Sequence, residues 1–326
     1  MQRRDFLAVT ASTLAGGVLA CTSQAAPRGA RRAPLDVAAF HRERRFAATA
    51  FGRIAYVERG AGPAALFIHA LPLNGFQWRG ALERLSDLRR CVAPDVMGLG
   101  YTEVRDGQSL APEAQAEMMA AVLDTLGITT VDVVGSDSGG AIAQIFVAKF
   151  PARVRTLMLT NCDVHEDSPP PPLRPLIAQA RAGTFADGDL GPQLADKAIA
   201  RAKLGRVAYT DPARLADDTI DCYLAPLLSS ERRKAQLHAY IVALDRNPLL
   251  AIEPALQACD VPLRVLWGTD DTIFDPTGPS WLQRTFRKSQ GTRQIAGARA
   301  FFAEEMPDLV AEEARRLWRS VAAPGG

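Results

Sequence analysis

Histidine is among the rarest residues in this chain: four in 326, namely His41, His69, His165 and His238. Any chemistry that needs an imidazole must use one of those four or do without. Cysteine is nearly as sparse, at five, and no Cys-x-x-Cys spacing occurs. That removes the usual sequence signatures of zinc and thiol-redox centres, so no metal and no cofactor is expected. An excess of one charge is also missing, with 38 Lys and Arg against 36 Asp and Glu. A balance of +2 implies neither nucleic acid nor an acidic partner. No internal repeat is present, and the sole low-complexity tract is Pro169 to Pro172. Long hydrophobic runs are absent too: the run from Phe6 to Ala20 falls short of the about 20 residues that span a bilayer. What remains is an ordinary globular composition, 48% hydrophobic, long enough for one large domain or two small ones.

Residues 1–26 read as an export signal rather than as part of the fold. Arg3-Arg4 precede Phe6-Leu7 and a run of small apolar residues, the layout of a twin-arginine signal. Val18-Leu19-Ala20-Cys21 has the shape of a lipoprotein cleavage box, in which Cys21 would carry lipid; cleavage after Ala25 is the competing reading. Either way the expected location is the periplasm, soluble or anchored to the membrane through that lipid. Residues 27–45, rich in arginine, read as a flexible tether. Export implies an oxidising compartment, where disulfides are permitted. Of the remaining Cys91, Cys162, Cys222 and Cys259, the first two lie in or beside expected strands and read as buried thiols.

The body alternates strand and helix. Short Val/Leu/Ile-rich runs bounded by Pro, Gly or Asp fall at 53–58, 64–69, 91–94, 130–135, 155–160, 263–268 and 292–296. Helical patterns lie between them at 76–86, 111–126, 141–150, 280–287 and 303–320. This rhythm predicts an α/β fold, a mostly parallel sheet covered by helices on both faces. Residues 163–257 break it, with helical segments and no buried strand, and read as a helical cap over the carboxyl ends of the strands. The core is then 46–162 and 258–322. Ligands bind at those strand ends in open α/β sheets.

The stretch Val131 to Gln144, VDVVGSDSGGAIAQ, is a strand, a sharp turn and a helix start. A turn this tight needs small residues two before and two after its apex, as in the nucleophile elbow. Gly135 and the pair Gly139-Gly140 satisfy that only if Asp137 is the apex; a frame with Ser138 at the apex leaves Gly135 outside the turn. A helix N-cap alone would explain an aspartate there, but not the small residues on both sides.

Four stretches in order resemble the α/β-hydrolase family over about residues 50–322. LFIHALPLNGFQW (66–78) is similar to its oxyanion segment, with Ala70 in place of Gly. APDVMGLGYTE (93–103) is similar to its P-D-x-x-G-x-G-x-S turn, with Thr102 for Ser. VVGSDSGGAIAQ is the elbow, and VLWGTDDTIFDP (265–276) resembles the strand that delivers the triad acid. An aspartate at the apex points to the branch similar to haloalkane dehalogenases and epoxide hydrolases. The resemblance implies Asp137 as nucleophile on an sp³ carbon, Asp271 as triad acid with Asp270 one residue off, and backbone N–H groups of Leu71 and Ser138 as the oxyanion hole. It implies a small-molecule substrate. The side chains of Leu71 and Ser138 offer no indole or amide to a departing halide, which weighs against alkyl halides. Tyr209, Tyr223 and Tyr240 in the cap are the candidate acids for opening an epoxide.

The family's histidine is missing. In AGARAFFAEEMPD (296–308) the pattern places Ala300 where it belongs, between Arg299 and Phe301. His69 packs within the oxyanion segment, His41 lies in the tether, and His238 falls on a charged cap helix and reads as solvated. His165, after the strand that ends near Cys162 and flanked by Asp163 and Glu166, is the candidate for a relocated base. Arg299 cannot act as a base but can hold a substrate carboxylate. Three readings follow: a hydrolase with an unconventional base, a lyase or isomerase that uses Asp137 as proton acceptor, and a ligand-binding protein without turnover. If only the base is missing, Ala300→His should restore hydrolysis.

Overall fold

The computed structural model describes residues 34–321. The expected export signal and possible lipid site at Cys21 lie outside the described residues. Strands β1 (Arg45–Thr49), β2 (Gly52–Arg59), β3 (Ala64–Ile68), β4 (Arg90–Pro94), β5 (Glu103–Val104), β6 (Val131–Asp137), β7 (Val154–Cys162), β8 (Leu263–Gly268) and β9 (Ser289–Ile295) form one sheet. Their order is β1-β2-β4-β3-β6-β7-β8-β9, with β5 on β2. From β4 through β9 every neighbour is parallel; β1, β2 and β5 pair antiparallel. β3 and β6 are buried along their whole length. This is why β3, AALFI, reads as an unbroken apolar run rather than alternation.

All seven expected strands are present. The two missed ones are weak by nature: β5 has two residues, and β1 buries only Ala47. The expected tether differs from the structure where it can be compared. Residues 27–33 lie outside the described residues, but from Pro34 the chain is ordered. Asp36 caps a helix Val37–Glu43 by accepting from Ala39 N at 2.7 Å. Leu35 and Phe40 are buried, and Phe40 meets Phe76 edge to face at 5.2 Å. Two apolar side chains among arginines were too faint a period to recognise, yet burying each contributes about 1.5–3 kcal/mol.

No strand interrupts the stretch between β7 and β8. Its helices Arg174–Arg181, Asp217–Leu228 and Glu231–Ala243 form the cap, whereas Leu249–Ala258 packs back on the helix Ser138–Lys149 of the core. The Arg233 guanidinium fastens the cap to the turn after β4. It donates to the carbonyls of Thr102 at 2.7 Å, Gly100 at 2.6 Å and Leu99 at 3.1 Å. At the other end of β6, Asp132 is fully buried and accepts from Arg89 Nε, Arg155 Nη2 and Thr156 Oγ1, each at 2.8 Å.

Candidate active site

β6 runs directly into the helix Ser138–Lys149, and the junction is Asp137 at φ 56°, ψ −132°. A non-glycine residue in that region costs on the order of 1–3 kcal/mol and must be held by its surroundings. The surroundings are tight. A Cβ on Gly139 would lie 2.5 Å from His69 O, and one on Gly140 would lie 2.3 Å from Cys162 Cβ. The helix start is thus wedged between the ends of β3 and β7, and glycine at both positions is a steric requirement. The Asp137 carboxylate makes no capping bond to its own helix. Its Oδ1 instead accepts from Leu71 N at 2.9 Å, and the neighbouring Ser138 backbone and hydroxyl favour its charged form. Of the two backbone donors that the sequence assigned to an oxyanion hole, Leu71 N thus holds an oxygen of Asp137 itself. The Ser138 hydroxyl is held in turn, because Tyr240 OH donates to its Oγ at 3.0 Å.

Asp137 and Ser138 lie in the wall of a cavity of about 470 Å³ between core and cap. Leu173, Leu176 and Leu190 come from the cap side, and Ile273, Phe274 and Phe301 from the core. A larger groove of about 940 Å³ runs along residues 100–106 and 225–236 but contains neither Asp137 nor any other buried carboxylate. The 470 Å³ chamber suits a small, mainly apolar molecule.

A second carboxyl group shares this chamber. Asp163 follows the last residue of β7, is 7% exposed and lines the same wall. The sheet register sets Cys162 opposite Asp137, so Asp163 stands one residue beyond the elbow on the adjacent strand. Burial pushes Asp137 up to about 6, against the pull of the donors from Ser138 and Leu71. Burial, and then the charge of Asp137, pushes Asp163 up to about 8. Sequence reasoning noticed Asp163 only as a flank of His165. The available signal was its place immediately after the strand that neighbours the elbow.

Asp271 is where the resemblance put it, after β8. Its oxygens accept from Asn161 Nδ2 at 2.6 Å and Ile273 N at 2.8 Å, and burial raises its pKa. It is not among the residues lining the chamber, and neither is Ala300, which is fully buried. Phe301 lines it instead, its N–H donating to Ala208 O at 2.8 Å. Asp270 is exposed beyond the chamber wall.

No histidine of the described residues lines the chamber. His165 is turned elsewhere: at φ 53° its ring stacks on Trp281 at 4.8 Å, and Nδ1 lies 3.3 Å from Glu253 Oε2. That placement gives no support to a relocated base, because the ring contacts Trp281 and Glu253 on the helices flanking the sheet and does not line the chamber. His69 is buried and neutral, donating from Nδ1 to Ala70 O and accepting from Val96 N at Nε2, both at 2.9 Å. Burial lowers its pKa. His238 is half-buried, accepting from Ala186 N at 3.0 Å, rather than freely solvated. His41 belongs to the first helix and meets Tyr101 edge to face. Arg299 donates to Arg206 O at 2.7 Å and lies off the chamber, so it is not poised for a substrate carboxylate. Of the cap tyrosines, Tyr209 donates to Glu304 at 2.7 Å, Tyr223 is buried in the same cluster, and Tyr240 reaches the site only through Ser138.

Residues 63–305 match the family described as alpha/beta hydrolase fold, and the chain belongs to it. Haloalkane dehalogenase 2 of Mycobacterium tuberculosis is 34% identical over 273 residues, covering 80% of this chain and 89% of that one. A cis-3-alkyl-4-alkyloxetan-2-one decarboxylase of Shewanella oneidensis is 24% identical, covering 72% of this chain and 75% of that one. A thermophilic esterase from Thermogutta terrifontis superposes with a TM-score of 0.70 at 25% identity, covering 86% of this chain and 99% of that one. Fold and relatives together define an enzyme of the hydrolase class acting on a small molecule.

Proposed function

We propose that the chain hydrolyses a small, largely apolar electrophile through an ester formed on Asp137. The observation that carries this reading is the Asp137 carboxylate itself. One oxygen is bound by Leu71 N, and the side chain stands in the wall of a mainly apolar chamber. A carboxylate so placed can attack an sp³ carbon with its other oxygen. The bound oxygen then becomes the carbonyl oxygen of the ester. The donors at Leu71 and Ser138 are in place for the negative charge that develops there when water attacks, with no reorganisation needed. A serine at the apex would put a hydroxyl in this position and require a base to activate it. A carboxylate needs none for the first step.

Intact mass under single-turnover conditions tests this. Wild type incubated with short-chain epoxides, alkyl bromides and alkyl esters should show a transient adduct on the peptide containing Asp137. In H₂¹⁸O one label should enter Asp137 after turnover, because water attacks the acyl carbon. Asp137→Asn should form no adduct. Turnover of wild type with no label in Asp137 would rule out the ester. A second reading, elimination or decarboxylation without water, is favoured by the absence of imidazole from the chamber wall and by the decarboxylase among the relatives. It predicts substrate loss without ¹⁸O in the product or in Asp137.

A further inference from the structure

We infer that Asp163 is a second catalytic carboxyl group, which hands a proton to the leaving atom, and that the substrate is consequently an electrophile with an oxygen leaving group. This rests on the reading of Asp137 as nucleophile.

Two carboxyl groups from adjacent strands share one small chamber. Among the described residues no lysine or arginine forms an ion pair with either. Like charges so placed cannot both be carried cheaply, so one group ionises and the other keeps its proton. The hydrogen bonds decide which. Asp137 Oδ1 receives Leu71 N at 2.9 Å, and the Ser138 backbone and hydroxyl beside it also favour a carboxylate. For Asp163 the Ser168 hydroxyl and its own backbone N–H favour the carboxylate, but they do not offset its burial and the charge of Asp137. The other groups that bear on Asp163 are Asp167 on its own loop, Tyr240 on the cap helix Glu231–Ala243, and the thiol of Cys162. None is a cation. The Asp189–Lys203 ion pair, 2.9 Å long, is in the chamber wall, with Lys203 half exposed and already matched. Asp137 at about 6 and Asp163 at about 8 accord with that division.

A neutral carboxylic acid beside a carboxylate nucleophile is of little use to a departing bromide, which needs no proton. It is of great use to an alkoxide. As Asp137 forms its C–O bond, the substrate's C–O bond breaks and the electron pair moves to oxygen, which takes the Asp163 proton. Asp163 is now a carboxylate. It accepts a proton from the water that adds to the ester carbon, with the resulting oxyanion on Leu71 N and Ser138 N. Collapse expels the product oxygen, which takes up that proton from Asp163. The proton of the added hydroxyl passes to Asp163, so Asp137 ends as carboxylate and Asp163 as acid. An epoxide plus water gives a diol, and both groups return to their starting forms. The same residue thus covers the acid step and the base step for which the chamber offers no imidazole.

The test compares two electrophiles on the full chain, 1,2-epoxyhexane and 1-bromohexane, following the Asp137 adduct by intact mass. Asp163→Asn should slow labelling by the epoxide about 10²–10⁴-fold and leave labelling by the bromide undiminished. In wild type, epoxide labelling should rise as pH passes about 6, where Asp137 loses its proton. It should fall again above about 8, where Asp163 loses its own. Bromide labelling should show the first limb only. The wild-type comparison stands even if the variant does not fold, and Asp163→Glu should retain the alkaline limb. If both electrophiles slow equally in the variant, or if both wild-type profiles have the same limbs, Asp163 has no role in proton transfer although Asp137 remains the nucleophile. If neither electrophile labels Asp137, the nucleophile reading falls and takes this inference with it.

Discussion

The raised pKa of Asp137 makes a prediction about stability that is independent of any substrate. Below about pH 3.8 the carboxyl is protonated in both the folded and unfolded chains, so it contributes no pH dependence. Between there and about 6 the unfolded chain has released the proton while the folded chain still holds it, so stability falls as pH rises. Above about 6 the loss is complete and constant. The rise from 3.8 to about 6 corresponds to about 3 kcal/mol. Asp137→Asn keeps an acceptor oxygen for Leu71 N but never acquires the charge. It should therefore stabilise the protein by about 3 kcal/mol at pH 8, about 5 °C in Tm for a domain of this size. At pH 4 the gain should nearly vanish. Removing the Asp137 charge also relieves Asp163, which adds to the gain on the alkaline side. Thermal melts of wild type and variant from pH 4 to 8.5, by circular dichroism or calorimetry, are sufficient. A variant no more stable than wild type at pH 8, or a gain that does not change with pH, would refute the claim that this carboxylate is buried at a cost to the fold.

Asp132→Ala should destabilise by about 3–5 kcal/mol in urea melts, because it strips a buried carboxylate from Arg89, Arg155 and Thr156; a loss below about 1 kcal/mol would mean the cluster is dispensable. Ala300→His looked from the sequence like a simple restoration, but Ala300 is fully buried and off the chamber wall. The ring should overpack that site, costing about 1–3 kcal/mol with no gain in turnover, and a clear gain in steady-state hydrolysis would show that the imidazole finds its way to Asp137 after all. Outside the described residues, we propose twin-arginine export, so changing Arg3 and Arg4 to lysine should leave precursor in the cytoplasm; undiminished export on fractionation would remove that claim.

The residues that were legible in the sequence share one property: their constraint is local. β3 announces itself as an unbroken apolar run buried on both faces, and β6 and β7 by the short apolar stretches Val133-Val134 and Leu157-Met158-Leu159 within them. The elbow announces itself because Gly139 and Gly140 must clear His69 O and Cys162 Cβ within a single turn. Asp163 carries no such local mark. Its burial and its neighbour are consequences of the β6–β7 register and of a cap closing from residues 170–208, and neither is written in the residues beside it. His165 shows the converse. It has the residue type that the missing base required and stands two positions further along, but its ring stacks on Trp281, away from the chamber. A search by residue type thus finds the histidine that is present. Position relative to the elbow strand finds the acid that is useful. In this fold the carboxyl edge of the strand beside the nucleophile delivers its first loop residue into the chamber, and here that residue is Asp163, which forms no ion pair among the described residues. On the proposed reading, a proton held at position 163 does the work that the resemblance would give to an imidazole at position 300.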